Sequence, residues 1–219
     1  MAELRTEEEQ VQALKDWWKE NGKALMIGVA AAVAIVLGWQ AWQSNKEQKA
    51  ANASTLYQNL TEAVQLSAGG QNEAQYATAR HLNEQLRADY SGTAYARYAA
   101  LMLASLAVNS GELESAVEQL DWVLAASSET DNIVRVARLR KAMLLAQQGQ
   151  SEAAIALLQA GDAGNYAVQY QELLGDLYAD NDRPDEAFAA YDQALKLGGG
   201  EQLRPLLKMK RDDLAGAES

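Results

Sequence analysis

The chain has 219 residues, a formal net charge of −11, one histidine and no cysteine. The absence of cysteine excludes disulfides and thiolate metal sites, and a single histidine leaves little basis for Ser-His catalysis or metal ligation. An acidic chain repels phosphate backbones, so we expect no nucleic-acid partner, and nothing in the composition indicates a cofactor.

An uncharged stretch at residues 24–42 is a predicted membrane anchor. It reads ALMIGVAAAVAIVLGWQAW and forms about 28 Å of helix, close to the ~30 Å hydrocarbon core of a bilayer. Trp17 and Trp18 precede it, and Trp39 and Trp42 lie near its end, as the two membrane interfaces favour. A cleaved signal peptide would need a basic segment before the stretch and small residues at its end. The preceding segment is acidic instead, and Trp39 and Trp42 are bulky. The other alternative is a buried core helix.

These features divide the chain into an arm at 1–23, a transmembrane anchor at 24–45 and a domain at 46–219. Thr6 and Glu9 fit a capping box at the start of a helix in the arm. Two interpretations of the arm remain open. It is either a short amphipathic helix at the membrane interface, with Asn21-Gly22 as the bend, or an extension of the anchor helix into water.

The lysines beside the anchor predict its orientation. Lys15, Lys19 and Lys23 precede it, whereas Lys46 and Lys49 follow it. The positive-inside bias therefore places the N-terminus in the cytoplasm, by one charge. Long acidic domains translocate regardless of their own charge. We expect a single-pass protein with its domain on the far side of the membrane.

The region after the anchor is predicted to form helices in antiparallel pairs. The clearest pair spans 168–199, with small residues at Gly175, Ala187 and Ala194 and aromatic residues at Tyr178 and Tyr191. Together with Leu174, these match the tetratricopeptide pattern.

Two weaker copies precede this pair. The alanines that follow the turns are Ala116, Ala154 and Ala187, which are 38 and 33 residues apart, near the 34-residue repeat. A degenerate pair at 53–67 and 73–90 and a capping helix at 202–214, starting near Pro205, complete the prediction. The predicted fold class is all-α, a transmembrane helix followed by a tetratricopeptide-like α-solenoid. An irregular helical bundle is the alternative.

The chain resembles the YfgM family along nearly its whole length. The resemblance rests on Glu20-Asn21-Gly22-Lys23-Ala24-Leu25 entering the anchor, Gly38-Trp39 closing it, and Met209-Lys210 with Asp212-Asp213-Leu214 near the C-terminus. It implies an ancillary subunit of the SecYEG translocon in the inner membrane of Gram-negative bacteria, with a periplasmic domain. It also implies a PpiD-like periplasmic chaperone as partner, contact with membrane lipid, and unfolded client proteins beside the translocon.

The first helices of a solenoid line one face, which predicts where partners bind. The candidate residues are Tyr98, Leu101, Ser105, Val136, Leu139, Met143, Gln169, Glu172 and Asp176. They predict a groove that is apolar at one end and acidic at the other, unless the apolar members are ordinary core. In the anchor, Gly28, Ala31, Gly38 and Trp39 are candidates for contact with other membrane helices, or they simply face lipid.

The remaining charged residues do not indicate an enzyme. Acidic pairs such as Asp185-Glu186 lie at predicted helix starts, where they complement the helix dipole. The cluster Arg135, Arg138, Arg140 and Lys141 forms either a solvated helix face or an acidic docking site. Two hypotheses for the function remain: a translocon subunit working with a chaperone, and a scaffold for another envelope complex that handles no clients.

Overall fold

The computed structural model describes residues 7–67, 72–126 and 131–216. Contacts between Cα atoms divide the chain into two compact units, Met1–Ala51 and Asn52–Ser219. Every regular element within the described ranges is helical, which confirms the predicted all-α class.

The first helix, α1, spans Glu7–Ser67. It is uninterrupted at Asn21 and Gly22, so the predicted bend there is wrong and the arm extends the anchor helix. The Asn21 side-chain amide donates to the Trp17 carbonyl at 3.1 Å. The Trp18 ring packs over Gly22, about 3.2 Å from where a Cβ would lie. Both contacts let a helix continue through residues that usually end one. Thr6, the predicted cap, lies outside the described residues.

The apolar stretch of α1 is exposed throughout the first unit. Ile35 is 72% exposed and Trp39 66%, and the most apolar window has a mean hydropathy of 2.0 with none of it buried. Among the described residues, α1 is the one helix long and apolar enough to cross a membrane. A buried core helix, the alternative left open by the sequence, is therefore wrong.

The second unit begins within α1, whose last part, residues 52–67, is the first helix of the domain. Ala53 and Leu60 are fully buried there, in one cluster with Leu86, Ala96 and Ala99. The sequence placed a separate helix at 53–67. It is instead the end of the helix that carries the anchor.

The remaining helices follow in pairs. They are α2 (Glu73–Asp89), α3 (Ala94–Asn109), α4 (Leu113–Ala126), α5 (Asn132–Gln147), α6 (Ser151–Gln159), α7 (Ala167–Asp180), α8 (Pro184–Leu197) and α9 (Pro205–Gly216), with a 3₁₀ turn at Gly164–Tyr166 before α7. α3 packs on α4, α5 on α6, and α7 on α8. α9 packs on α8 as the predicted capping helix.

The turns inside the three pairs repeat one backbone conformation. Gly111, Gly149 and Asp182 each have a positive φ, of 79°, 74° and 54°. The next residue in each turn donates its N–H five positions back, as Glu112 does to Ala107 at 2.8 Å. Glycine adopts this left-handed conformation at little cost, and aspartate tolerates it. The three turn residues have the same 38- and 33-residue spacing as the alanines. The repeat is thus in the backbone as well as in the sequence.

Small residues let the paired helices approach closely. Ala116, Ala154 and Ala187 are fully buried. A Cβ on Gly175 would lie 2.4 Å from the Tyr191 ring, so only glycine leaves room for this ring between α7 and α8. The Tyr191 hydroxyl donates to Asp176 at 2.7 Å. This confirms the packing that the spacing of the clearest repeat predicted.

Candidate partner-binding groove

Five of the nine predicted binding residues line two adjoining cavities, which we call the α3–α5 groove. The first cavity measures about 290 Å³ and includes Tyr98, Leu101 and Val136 in its lining. The second measures about 300 Å³ and includes Ser105 and Met143. Both lie within the second unit. The predicted alignment of the copies therefore brings the first helices of two repeats onto one surface.

Aromatic rings form one wall of the first cavity. The Tyr57 ring, on the last part of α1, lies 5.7 Å from the Tyr95 ring and 6.5 Å from the Tyr98 ring, centroid to centroid. Tyr166, from the 3₁₀ turn, completes the lining. Tyr98 remains 45% exposed, so its ring is accessible. The sequence missed Tyr57 and Tyr166, because neither lies on a first helix of a recognised repeat.

Arg140 stands where the two cavities meet. It is the one residue that lines both. Its Nη1 donates to the Leu101 carbonyl at 3.1 Å, which joins α5 to α3. The residue as a whole is exposed. The groove thus has one cation between two cavities whose linings are mainly apolar.

Leu139 does not line this groove. It is 8% exposed and packs in the core cluster built mainly from α6, α7 and α8. The prediction that it faces a partner is wrong, because this part of α5 is already covered by the following repeat. It is ordinary core, the alternative that the sequence left open.

The predicted acidic end of the groove carries its own cation. Lys210, on α9, lies 2.8 Å from Asp176 and 3.6 Å from Glu172. Burial lowers the pKa of Lys210, but the hydrogen bond to Asp176 and the two carboxylates outweigh it, so this pKa is raised. Gln169 is exposed. The capping helix therefore offsets part of the negative charge that the sequence expected to be open to a partner.

The predicted contact residues of the anchor are exposed in the first unit. A Cβ added at Gly28 or Gly38 would meet nothing within 4 Å, and Ala31 is exposed. The Trp39 and Trp42 rings lie 5.1 Å apart, and Lys46 Nζ lies 5.4 Å from the centre of the Trp42 ring. Indoles beside a lysine suit the membrane–water interface.

Comparison with known proteins places this architecture in a family. A family model described as a tetratricopeptide repeat-like domain matches residues 15–216. A protein of Escherichia coli strain K12 named ancillary SecYEG translocon subunit is 32% identical over 209 residues, covering 95% of this chain and 97% of that relative. The chain belongs to the family of ancillary SecYEG translocon subunits.

Other members of the translocon-subunit family align over the same length. The ancillary SecYEG translocon subunit of Haemophilus influenzae is 28% identical over 214 residues, covering 98% of this chain and all of that relative. Among solved structures, the crystal structure of BtubC from P. vanneervenii superposes with a TM-score of 0.48 at 18% identity, covering 78% of this chain and 84% of that one. Likeness at that level carries no conclusion about fold or function.

A further cavity in this translocon-subunit homologue lies where the sequence differs from the tetratricopeptide pattern. It measures about 550 Å³, lies among α6, α7 and α8, and is lined by Gln171, Tyr170 and Tyr178 among others. The tetratricopeptide pattern prefers tryptophan at the position of Gln171. The smaller amide leaves space that an indole would fill. Gln171 could be recognised in the sequence as a mismatch to the pattern, but the cavity beside it could not be predicted.

The basic cluster on α5 is neither a solvated face nor an open docking site. Arg135 pairs with Asp162, Lys141 pairs with Asp121, and Arg138 is only 5% exposed. The Arg135 hydrogen bond is the largest cause of a lowered pKa at Asp162. Both sequence interpretations are therefore wrong for these three residues. Arg140 alone of the four opens into the groove.

The described residues offer no metal site in this translocon-subunit homologue. They contain no group of three or more His, Asp, Glu or Cys side chains that could hold an ion. The single histidine, His81, is exposed on α2.

Proposed function

We propose that this protein is an ancillary subunit of a SecYEG translocon, held in the inner membrane by residues 24–42. The observation that carries the proposal is identity of 32% with a protein of that name over 95% of the chain. That alignment includes the apolar, fully exposed stretch of α1 as well as the repeat domain. A protein that shares the anchor and the domain with a translocon subunit has both parts that such a role needs.

The domain that follows the anchor works in the periplasm in this proposal. Three lysines flank the anchor on its N-terminal side and two on its C-terminal side, which favours a cytoplasmic N-terminus. The exposed indoles of Trp39 and Trp42, with Lys46 beside them, suit the periplasmic interface of the same helix.

The role of the domain is to bind protein partners, without catalysis. The α3–α5 groove supplies an accessible apolar surface of a size that suits side chains of a bound segment. The partners are the translocon, a PpiD-like periplasmic chaperone and the secreted or envelope proteins that both handle. Contact with lipid is confined to the anchor.

Site-specific photocrosslinking in intact membranes tests this function. A photoreactive residue at Trp39, at Trp42 or at Tyr98 is activated and the adducts are identified by mass spectrometry. We expect translocon subunits from the anchor positions and a periplasmic chaperone or client from Tyr98. A probe at Lys196, exposed on α8 away from the groove, is the control and should give neither. Adducts with a different envelope assembly, and none with a translocon, would reject the proposal in favour of a scaffold.

A further inference from the structure

We propose that the α3–α5 groove binds an extended segment of a partner protein that carries one aspartate or glutamate between apolar side chains. The inference rests on the proposed function, in which the domain binds protein partners. It names the chemistry that the groove selects. Arg140 is the residue that binds the acidic side chain.

The first step is the state of Arg140 compared with its neighbours on α5. Arg135 and Lys141 are each paired with an aspartate from another helix or turn. For Arg140, by contrast, no carboxylate within the described ranges lies within ion-pair distance, and the one hydrogen bond it makes to another described residue is to the Leu101 carbonyl. A guanidinium has five N–H donors in a planar fork, so most of them remain open to a ligand.

The second step is charge. The chain carries 30 acidic residues against 19 basic ones, and on α5 both Arg135 and Lys141 are paired with an aspartate. A cation that opens into a binding groove without such a neighbour is complementary to a carboxylate. Arginine binds a carboxylate through two parallel hydrogen bonds, with a geometry that lysine cannot match.

The third step concerns the position of the acid along the ligand. Cavity continues on both sides of Arg140, towards Tyr57 and Tyr98 on one side and towards Met143 and Val108 on the other. Both linings are mainly apolar, although Ser105, Asn109 and Gln147 also line the Met143 side. A segment that fills both cavities must therefore run past the arginine. Its carboxylate belongs to an internal aspartate or glutamate, with apolar residues before and after it.

The fourth step is the conformation of the ligand. The two cavities measure about 290 and 300 Å³ and meet at Arg140. Spaces of that size accept side chains from an extended backbone, in which alternate residues face one side. A chain that has not yet folded offers such segments.

The test measures binding of two peptides to the full-length protein in lipid nanodiscs by fluorescence anisotropy. The labelled peptide Gly-Leu-Tyr-Asp-Tyr-Leu-Gly, blocked at both ends, is compared with the same peptide carrying asparagine in place of aspartate. We expect the aspartate peptide to bind about tenfold more tightly, as one charge-assisted hydrogen-bonded pair provides. Arg140→Gln should remove this preference. Arg80→Gln, an exposed arginine on α2 outside the groove, should retain it.

A second variant separates recognition from folding, because Arg140 also joins α5 to α3. Tyr98→Ser removes an exposed ring from the aromatic wall and leaves Arg140 in place. It should weaken both peptides equally and keep their affinity ratio.

Equal affinity of the two peptides for the unaltered protein would overturn the inference. So would an unchanged ratio in Arg140→Gln, a preference only for peptides with a free C-terminal carboxylate, or a dimer of this chain that Tyr98→Ser dissociates. Failure of both peptides to bind, with the translocon crosslinks from Trp39 and Trp42 retained, would reject this inference and leave the proposed function standing. Peptide preference without those crosslinks would reject the proposed function instead.

Discussion

The anchor and the repeat domain use the same kinds of residue in the same secondary structure and treat them in opposite ways. Residues 24–42 expose their aliphatic side chains along the whole stretch. The helices of the second unit bury theirs, with small residues such as Ala116 and Ala154 at the points of closest approach. Burial therefore depends on what surrounds a helix, not on its composition alone. For the exposed stretch of α1, the medium that suits those side chains is lipid.

The largest effect we expect is from the same truncation made in each region. Leu120 is 1% exposed in the core of the domain, whereas Leu37 is 59% exposed in the anchor. Leu120→Ala should lower the free energy of unfolding of the domain by about 2–5 kcal/mol, because it leaves a cavity. Leu37→Ala should leave the unfolding of the domain unchanged. Thermal unfolding followed by circular dichroism in detergent measures both. Equal destabilisation would contradict the division into two regions.

A charge in the middle of the anchor should oppose insertion of the helix into the membrane. Val33→Asp is expected to cost about 3–4 kcal/mol of insertion free energy, because a favourable valine is lost as well as an aspartate gained. The fraction of protein that resists extraction from membranes at alkaline pH should fall. Asn45→Asp places the same charge beyond the apolar stretch and should insert normally. Full membrane retention of Val33→Asp would indicate that this helix does not lie in the hydrocarbon.

Two glycines sharpen the contrast between close and open packing. Gly175 faces the Tyr191 ring, whereas nothing lies near Gly28. Gly175→Ala should destabilise the domain by about 1–3 kcal/mol through overpacking, despite the higher helix propensity of alanine. Gly28→Ala should have no destabilising effect. Thermal unfolding of the two variants distinguishes them, and a stabilised Gly175→Ala would show that the ring shifts without cost.

Much of this contrast could be predicted from the sequence, because periodicity and spacing are local signals. The uncharged stretch, the tryptophans at its margins and the alanine after each turn were enough for the anchor and for the paired helices. Tyr98, Val136 and Met143, predicted from the alignment of the repeats, line two adjoining cavities, and their role in binding stays a prediction.

The remaining features depend on contacts that spacing does not record. α1 continues through Asn21-Gly22, where the Trp18 ring packs over the glycine. Lys210, more than thirty positions later in the sequence, forms ion pairs with Glu172 and Asp176. Arg140, unlike Arg135 and Lys141, has no acidic neighbour within the described residues. Pairings of this kind appear only when the helices are packed.

The smallest effect we expect is on pH dependence. The Arg135 guanidinium lowers the pKa of Asp162 below its ordinary value of 3.8. The stabilisation from this pair is therefore complete above that value and is lost as the pH falls through the lower, folded-state pKa. Asp162→Asn should make the unfolding temperature fall less steeply on acidification. Asp89→Asn, exposed at the end of α2, is the control. An identical acid dependence in the Asp162→Asn variant would show that the pair contributes nothing.

Thiol labelling tests most directly that residues 24–42 cross the membrane and separate the arm from the domain. The chain has no cysteine, so single replacements Gln12→Cys, Val33→Cys and Gly92→Cys report without background. A membrane-impermeant maleimide is added to intact spheroplasts and then to permeabilised ones. We predict that Gly92→Cys is labelled in intact spheroplasts, Gln12→Cys only after permeabilisation, and Val33→Cys in neither. Labelling of Gly92→Cys and Gln12→Cys on the same side of the membrane would contradict the account. So would labelling of Val33→Cys in intact spheroplasts.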